Sequence, residues 1–391
     1  MVSGRDERST MRNLSVRGLA FPWVAPVFLA VFLAGPVSAQ SFRIEQKDGL
    51  TLVRNGAKPA DVPGAPKGVR LVHELTIGNE TDTDDQMIFE IRSVQVGAGG
   101  EIFVLDGKIG QIKVYGPDGR HLRTIGKKGQ GPGELQSPTR MAMTPDGNLC
   151  FPDVGNNRVS TYSPEGACLK ETPFKGWRPI RFLPDSRGGG YGDLLDFQGG
   201  VKDVLLKFDP KLDKVATVAT LVIVENPSDQ MAPMEMFRLI YQVDPKDRIV
   251  WASTGDYELS TVDADGKTVR KILRDHEKRS YSRADKDRLI KDYLGGRTPP
   301  SDFMPFFPPH RPVLYHFVLD DEGRLYVRTF EKDGQELFYY DVFDNEGRYF
   351  ARLALPESEL LSVVKKGKAY TSIDENEAGI PQVKRYAVVW E

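Results

Sequence analysis

Short runs in which apolar and polar residues alternate with a period of two recur along most of the chain. GEIFVLD (Gly100 to Asp106), QIKVY (Gln111 to Tyr115) and HLRTI (His121 to Ile125) are the clearest, and Asp-Gly, Pro-Asp-Gly or Gly-Gly turns separate such runs. This pattern predicts strands of about four to six residues joined by tight turns. One stretch breaks it. In Asp275 to Pro312, Ser282 and Asp285 have the spacing of a capping box, Leu289, Ile290, Tyr293 and Leu294 form an apolar stripe, and Gly295-Gly296 follows. A single helix is predicted there, ended by the glycines.

The strand runs are organised as a repeat. Gly99 to Gly126 aligns with Asp146 to Phe174: each reads as a turn, a strand ending in Asp106 or Asp153, a polar turn, and an alternating strand centred on Tyr115 or Tyr162. The period is roughly 47 residues, and the aromatic or apolar centre recurs at Phe208, Val262, Phe343 and Tyr386. Six units of about four strands predict an all-β fold, a six-bladed β-propeller of four-stranded antiparallel blades. The last unit lacks an outer strand, and RLVHELTIG (Arg70 to Gly78) matches RHLRTIG (Arg120 to Gly126). N- and C-terminal strands are therefore expected to share one blade and close the ring, which removes an exposed sheet edge.

The segment Gly126 to Gly166 (GKKGQGPGELQSPTRMAMTPDGNLCFPDVGNNRVSTYSPEG) resembles an NHL-type repeat, with a Gly-Pro-Gly-Glu loop before one strand and Asp-x-x-Asn-Asn-Arg-Val after the next. The chain as a whole resembles the bacterial exported six-bladed β-propeller proteins of the NHL-repeat-like superfamily. That resemblance implies the fold; many such proteins have no assigned activity. Only one blade carries the full motif, since Asn156, Asn157 and Arg158 have no counterparts in the other five. The glycine-rich run Gly126 to Gly133 precedes a strand, so it reads as an inter-blade connection, and Arg158 as a brace for its own turn from Asp153 to Val159.

Ahead of the repeats, Leu19 to Val37 is almost wholly apolar, follows Arg12 and Arg17, and ends in Val37-Ser38-Ala39. This is the form of a secretory signal peptide over residues 1–39, with Met11 as an alternative start to Met1. Residues 40–68 are expected to be a hairpin and linker. The propeller then spans 69–391, with 274–311 as a helical and aromatic lid inserted between blades four and five. Phe303, Met304, Phe306 and Phe307 supply the aromatic part, whose plainest role is to cover neighbouring blades. The expected location is secreted or periplasmic, with no stable membrane insertion after cleavage.

Composition narrows the function. The 38 Gly and 27 Pro among 391 residues supply the turns, and 40% hydrophobic residues suffice for a core. Formal net charge is −2, and loss of four Arg with Asp6 and Glu7 takes it to −4. No general attraction to nucleic acid follows. Two Cys and five His cannot supply a disulfide scaffold or a large metal cluster. Cys150 and Cys168 fall on strands separated by a third, too far apart for a disulfide, and are expected as free or buried thiols.

Nucleophile, P-loop, zinc-protease and dinucleotide signatures are missing from the sequence, so no catalytic residue is assigned. Counting back from the first turn of each repeat reaches Arg92, Arg140, Arg181 and His316, where the chain enters the strand nearest the axis. Basic groups there would ring one mouth of the central channel and attract an anion. The same offset reaches Ile240 and Leu360 in the other two blades, so the ring is incomplete, although Arg238 stands near Ile240. His310, six residues before His316, is expected to share the mouth. No third His joins them for a zinc site, and His73, His121 and His276 read as surface or outer-strand residues. Glu80, Asp82, Asp84 and Asp85 in the loop Gly78 to Met87 could offer oxygen ligands to calcium, but the loop lacks fixed calcium-site spacing, and no cofactor is assigned. The expected function is an exported, monomeric, non-enzymatic recognition module for an anionic small molecule, peptide or partner protein. The alternative is a metal-assisted lyase or lactonase-like hydrolase on a propeller scaffold, by fold analogy.

Overall fold

The computed structural model describes residues 42–79, 86–225, 231–333 and 337–391. The signal segment and the acidic residues Glu80, Asp82, Asp84 and Asp85 lie outside the described residues. Six antiparallel sheets follow one another along the chain as blades. Their first strands are Ile91–Val96, Ala142–Met143, Arg181–Pro184, Leu239–Val243, Leu314–Leu319 and Glu359–Lys365. First strands of neighbouring blades lie against one another around a ring, and between blades one and two Ser93 and Gln95 side chains donate to the Met141 carbonyl.

The ring closes as the repeat predicts. Val69–Ile77 pairs antiparallel with Gln382–Trp390, the last strand of the chain, and completes blade six. Six buried hydrophobic clusters occupy the six interfaces between neighbouring blades. Between blades one and two, for example, Phe103, Leu105 and Val114 pack on Leu149, Phe151 and Tyr162. Period-two alternation places these residues on one sheet face, and each such fully buried side chain contributes about 1.5–3 kcal/mol.

Residues 42–55 form the expected hairpin, Phe42–Lys47 with Leu50–Asn55, but it is not a detached linker. The second strand runs parallel to Thr268–Arg274 and extends blade four to six strands. Val53 is fully buried among blades four and five. Asn55 Nδ2 donates to the Leu273 and Gly347 carbonyls at 3.1 and 3.0 Å, and Asn55 Oδ1 accepts from the Tyr349 backbone N–H at 2.8 Å. Both blades are thereby tied by a segment more than two hundred residues away in sequence, which no local pattern could reveal.

The turn after each first strand uses the left-handed region. Glycine occupies it at Gly100, Gly147, Gly188 and Gly323, while blade four places Asp247 there at φ 61°. The inserted helix spans Arg283–Tyr293 with the capping box present: Ser282 Oγ accepts from the Asp285 N–H, and the Asp285 carboxylate accepts from the Ser282 N–H. Gly295 and Gly296 end it at φ 58° and 76°. Met304–Phe306 pairs in parallel with Met231–Pro233, the Phe307 ring lies 5.2 Å from Tyr281, and the Phe303 ring lies 6.2 Å from Tyr293. Two insertions, one on each side of blade four, thus pack on each other.

Cys150 and Cys168 are free, on strands separated by Arg158–Tyr162; the first is buried and the second exposed. Arg158 differs from expectation. Its Nη2 reaches the carbonyls of Gly131 and Glu134 at 3.0 and 2.8 Å and pairs with Glu171 at 3.0 Å. It therefore braces the glycine-rich inter-blade loop instead of its own turn. Asn156 Nδ2 donates to Gly129 and Glu134 in the same loop, and Asp153 accepts from the Gln136 and Ser137 N–H groups.

Candidate functional site

Three of the five residues singled out from the sequence come together at the inner strands. Arg140 and Arg181 face each other across a parallel backbone bridge between blades two and three. Arg181 is neutralised: Asp193, its cross-strand partner, lies 3.4 Å away, and its Nη2 donates to the Leu239 carbonyl at 2.8 Å. The Tyr241 ring lies 4.3 Å from its guanidinium, and the Tyr241 hydroxyl donates to Asp193 at 2.7 Å. Burial opposes the Arg181 charge, but Asp193 and Tyr241 outweigh it and hold the pKa above its ordinary value.

Arg140 has no such compensation. Among the described residues no carboxylate stands within ion-pairing distance of it. Crowding by protein first, and then repulsion from Arg181, hold its pKa below the ordinary arginine value, only partly opposed by Tyr315, Asp193 and Tyr241. An arginine pKa lies so high that the group stays charged. Among the described residues, a solvent-accessible cation without an ion-paired carboxylate remains beside the channel.

His316 corrects the expectation of a ring of positive charges. Its Nε2 lies 2.9 Å from the Leu361 carbonyl, which can only accept, so Nε2 carries the proton. Nδ1 is buried without a partner. Burial, and then Arg328, Arg140 and Arg181, push the imidazole pKa down to about 3, while the Leu361 carbonyl opposes the shift. His316 is therefore neutral near neutral pH and adds no charge to the mouth.

The other two predicted residues stand apart. Arg92 sits at a register irregularity of its strand, half-exposed, with Nε 2.6 Å from Glu90. His310 belongs to the insertion, with Nδ1 2.9 Å from the Arg311 carbonyl and its ring 5.0 Å from Phe237. Among the described residues no hydrogen bond, ion pair or ring contact joins either to Arg140, Arg181 or His316. Arg238, the substitute suggested near Ile240, is taken up by Asp203 at 2.7 Å.

Four residues escaped the sequence reading: Arg328, Tyr315, Asp193 and His276. The first three lie on or beside first strands, and Arg328 is the cross-strand neighbour of His316, so a two-strand register would have found it. His276, expected at the surface, is half-buried with Nε2 lacking a partner, and it walls a cavity of about 920 Å³ beneath the insertion. Arg311, Pro312 and Val313 bound this cavity on the insertion side, and Tyr315, Arg328, Phe330 and Phe338 on blade five. Below it, Arg274 and Arg352 share Asp341 and Glu331 at 2.8–3.2 Å, a closed set of two cations and two anions. Among the described residues no group of three or more His, Cys, Asp or Glu is placed to hold a metal ion. Nor is any helix there long and apolar enough to cross a membrane.

Residues 80–183 match the model of DUF5128, a family described as a 6-bladed beta-propeller. The chain is a six-bladed β-propeller. No curated protein matches it. Among solved structures, the propeller is similar to a protein from Bacteroides fragilis described as a candidate exported protein, at 13% identity and a TM-score of 0.53, over 87% of this chain and 99% of that one. It is likewise similar to a DUF4221 family member from Bacteroides vulgatus, at 11% identity and a TM-score of 0.53, over 83% and 99%. At such identities the likeness is one of fold alone.

Proposed function

We propose that this propeller is an exported recognition module, without an enzymatic role, that binds an anionic small molecule, peptide or partner protein at the channel mouth. One observation carries the reading: the Arg140 guanidinium, pressed by Arg181 across the backbone bridge, has no ion-paired carboxylate among the described residues, and Asp193, which acts on it from farther off, is taken up by Arg181. An anion there would gain a charge-assisted hydrogen bond and relieve the repulsion between the two arginines. The cavity of about 920 Å³ walled by Tyr315, whose ring stands beside His316, falls within the range of small-molecule sites and offers aromatic walls for the rest of a ligand. Export is supported by the signal-like segment Leu19 to Val37 and by the fold likeness to a Bacteroides protein described in such terms. Kinship with NHL-type repeats is supported by the way Asp153, Asn156 and Arg158 all grip the loop Gly129 to Ser137.

Calorimetric titration of purified protein with acetate and inorganic phosphate at low ionic strength tests the reading. Saturable binding is expected, weakened at least about tenfold in Arg140→Gln, the equivalent of about 1.4 kcal/mol, and weakened by added salt. Equal binding by wild type and Arg140→Gln would overturn it.

A further inference from the structure

Among the described residues a second arginine, the cross-strand neighbour of His316, also lacks a counter-ion. Arg328, in the strand Leu325–Lys332, is only 8% exposed. The Tyr315 and Phe338 rings flank its guanidinium at 4.8 Å each, and Nη2 donates to the Glu357 carbonyl at 3.2 Å. Among the described residues no carboxylate pairs with it. The contrast with its neighbours is sharp, because Arg274 and Arg352 each reach both Asp341 and Glu331. Burying an unopposed guanidinium is unfavourable, and a dissolved counter-ion reaching it through the cavity would restore balance.

Tyr315 connects this arginine to the channel mouth. Its ring stands 5.6 Å from His316 and 6.0 Å from Phe330, it walls the cavity together with Arg328, and its phenol is among the groups whose field acts on Arg140. His316 is neutral and lies close enough to feel both arginines. The acidic cavity residues do not cancel them. Glu277, Asp292 and Glu357 are exposed, where solvent screens them, Glu357 also lies 3.8 Å from Lys332, and Glu331 is already engaged by Arg274 and Arg352.

We infer that the ligand carries two anionic groups on one short skeleton, one received by Arg140 at the channel mouth and the other by Arg328 in the cavity, with Tyr315 between them. This rests on the anion reading above. Dicarboxylates and phosphonocarboxylates share the required chemistry, and Pro312, Val313 and Phe330 offer apolar contact to the linking carbons.

The experiment is calorimetry on purified protein with dicarboxylates from malonate to suberate, each beside the monocarboxylate of the same length, and with phosphonoacetate and phosphonopropionate as a second arm. At least one dianion is expected to bind about tenfold or more tightly than its monoanion, with an optimum chain length. Which arm gives the tighter partner distinguishes carboxylate from phosphoryl as the second group. In Arg140→Gln the dianion advantage should vanish while residual monoanion binding at Arg328 persists. Arg328→Lys, which retains the charge should Arg328→Gln fail to fold, should keep part of the advantage. Equal affinity for dianions and monoanions overturns the two-anion inference and leaves the single-anion reading standing. Absence of binding by every anion overturns that reading and this inference with it.

Discussion

Arg140 and Arg181 meet across one backbone bridge, yet among the described residues only Arg181 has an ion-paired carboxylate, that of Asp193 at 3.4 Å. Two like charges held across one bridge repel, so the empty protein should be less stable than a variant uncharged at position 140. On the proposed anion-binding reading, the repulsion is a cost to stability that a bound anion relieves.

Arg140→Met should therefore raise the thermal midpoint of the ligand-free protein, by roughly 0.5–1.5 kcal/mol in stability, while removing stabilisation by added anion. In wild type, an anion at a hundred times its Kd should add about 2.7 kcal/mol. Differential scanning fluorimetry with and without anion measures both. A lower midpoint for Arg140→Met without anion would show that the charge is compensated after all.

His316 sets a pH dependence. Its folded pKa is about 3, below the ordinary 6.5, so between these values the unfolded chain binds a proton that the folded chain does not. The stability contributed is fully present above pH 6.5 and declines as pH falls, by about 1.4 kcal/mol per unit from this group, until the folded imidazole also protonates near pH 3. His316→Gln can keep the donor to Leu361 without titrating. Urea unfolding at pH 7, 6 and 5 should show a shallower pH slope for His316→Gln than for wild type; parallel slopes would remove His316 as the cause.

The closed ionic set under the cavity predicts a large loss on breaking it. Asp341 is fully buried and accepts hydrogen bonds from Tyr257 and Tyr349 at 2.6 and 2.7 Å as well as pairing with Arg274 and Arg352. Asp341→Asn leaves two buried cations with one carboxylate between them and should cost about 3–5 kcal/mol, read as a shift in denaturant midpoint at unchanged slope.

Asn55 tests whether the N-terminal segment belongs to the ring. Asn55→Ala strips partners from the Tyr349 N–H and from two carbonyls on blades four and five, and should cost roughly 2–4 kcal/mol. An effect near zero in chemical denaturation would mean that the hairpin is only an appendage.

The two thiols should differ in reactivity. Cys168 is exposed, whereas Cys150 is buried and its pKa is pushed up to about 12, chiefly by burial. Titration with a disulfide reagent should modify Cys168 in the folded protein and Cys150 only after denaturation.

The blades were legible because their determinants are local. Alternation along QIKVY, the turns at Gly147 and Gly323, the capping box of Ser282 and Asp285, and the period from Tyr115 to Tyr162 depend on residues a few positions apart, or on simple repetition. Closure by Val69–Ile77 followed from the same repetition. The chain alone also placed Arg181 and His316 on inner strands and Arg140 just before one. Their charge states depend on what the fold sets beside them: Asp193 beside Arg181, no carboxylate beside Arg140, and a carbonyl with three arginines around His316. Arg328 and the docking of Asn55 were hidden for the same reason. Burial and Coulomb interactions act across strands and blades, between residues tens to hundreds of positions apart, so only the tertiary structure decided which basic residues kept an unbalanced charge.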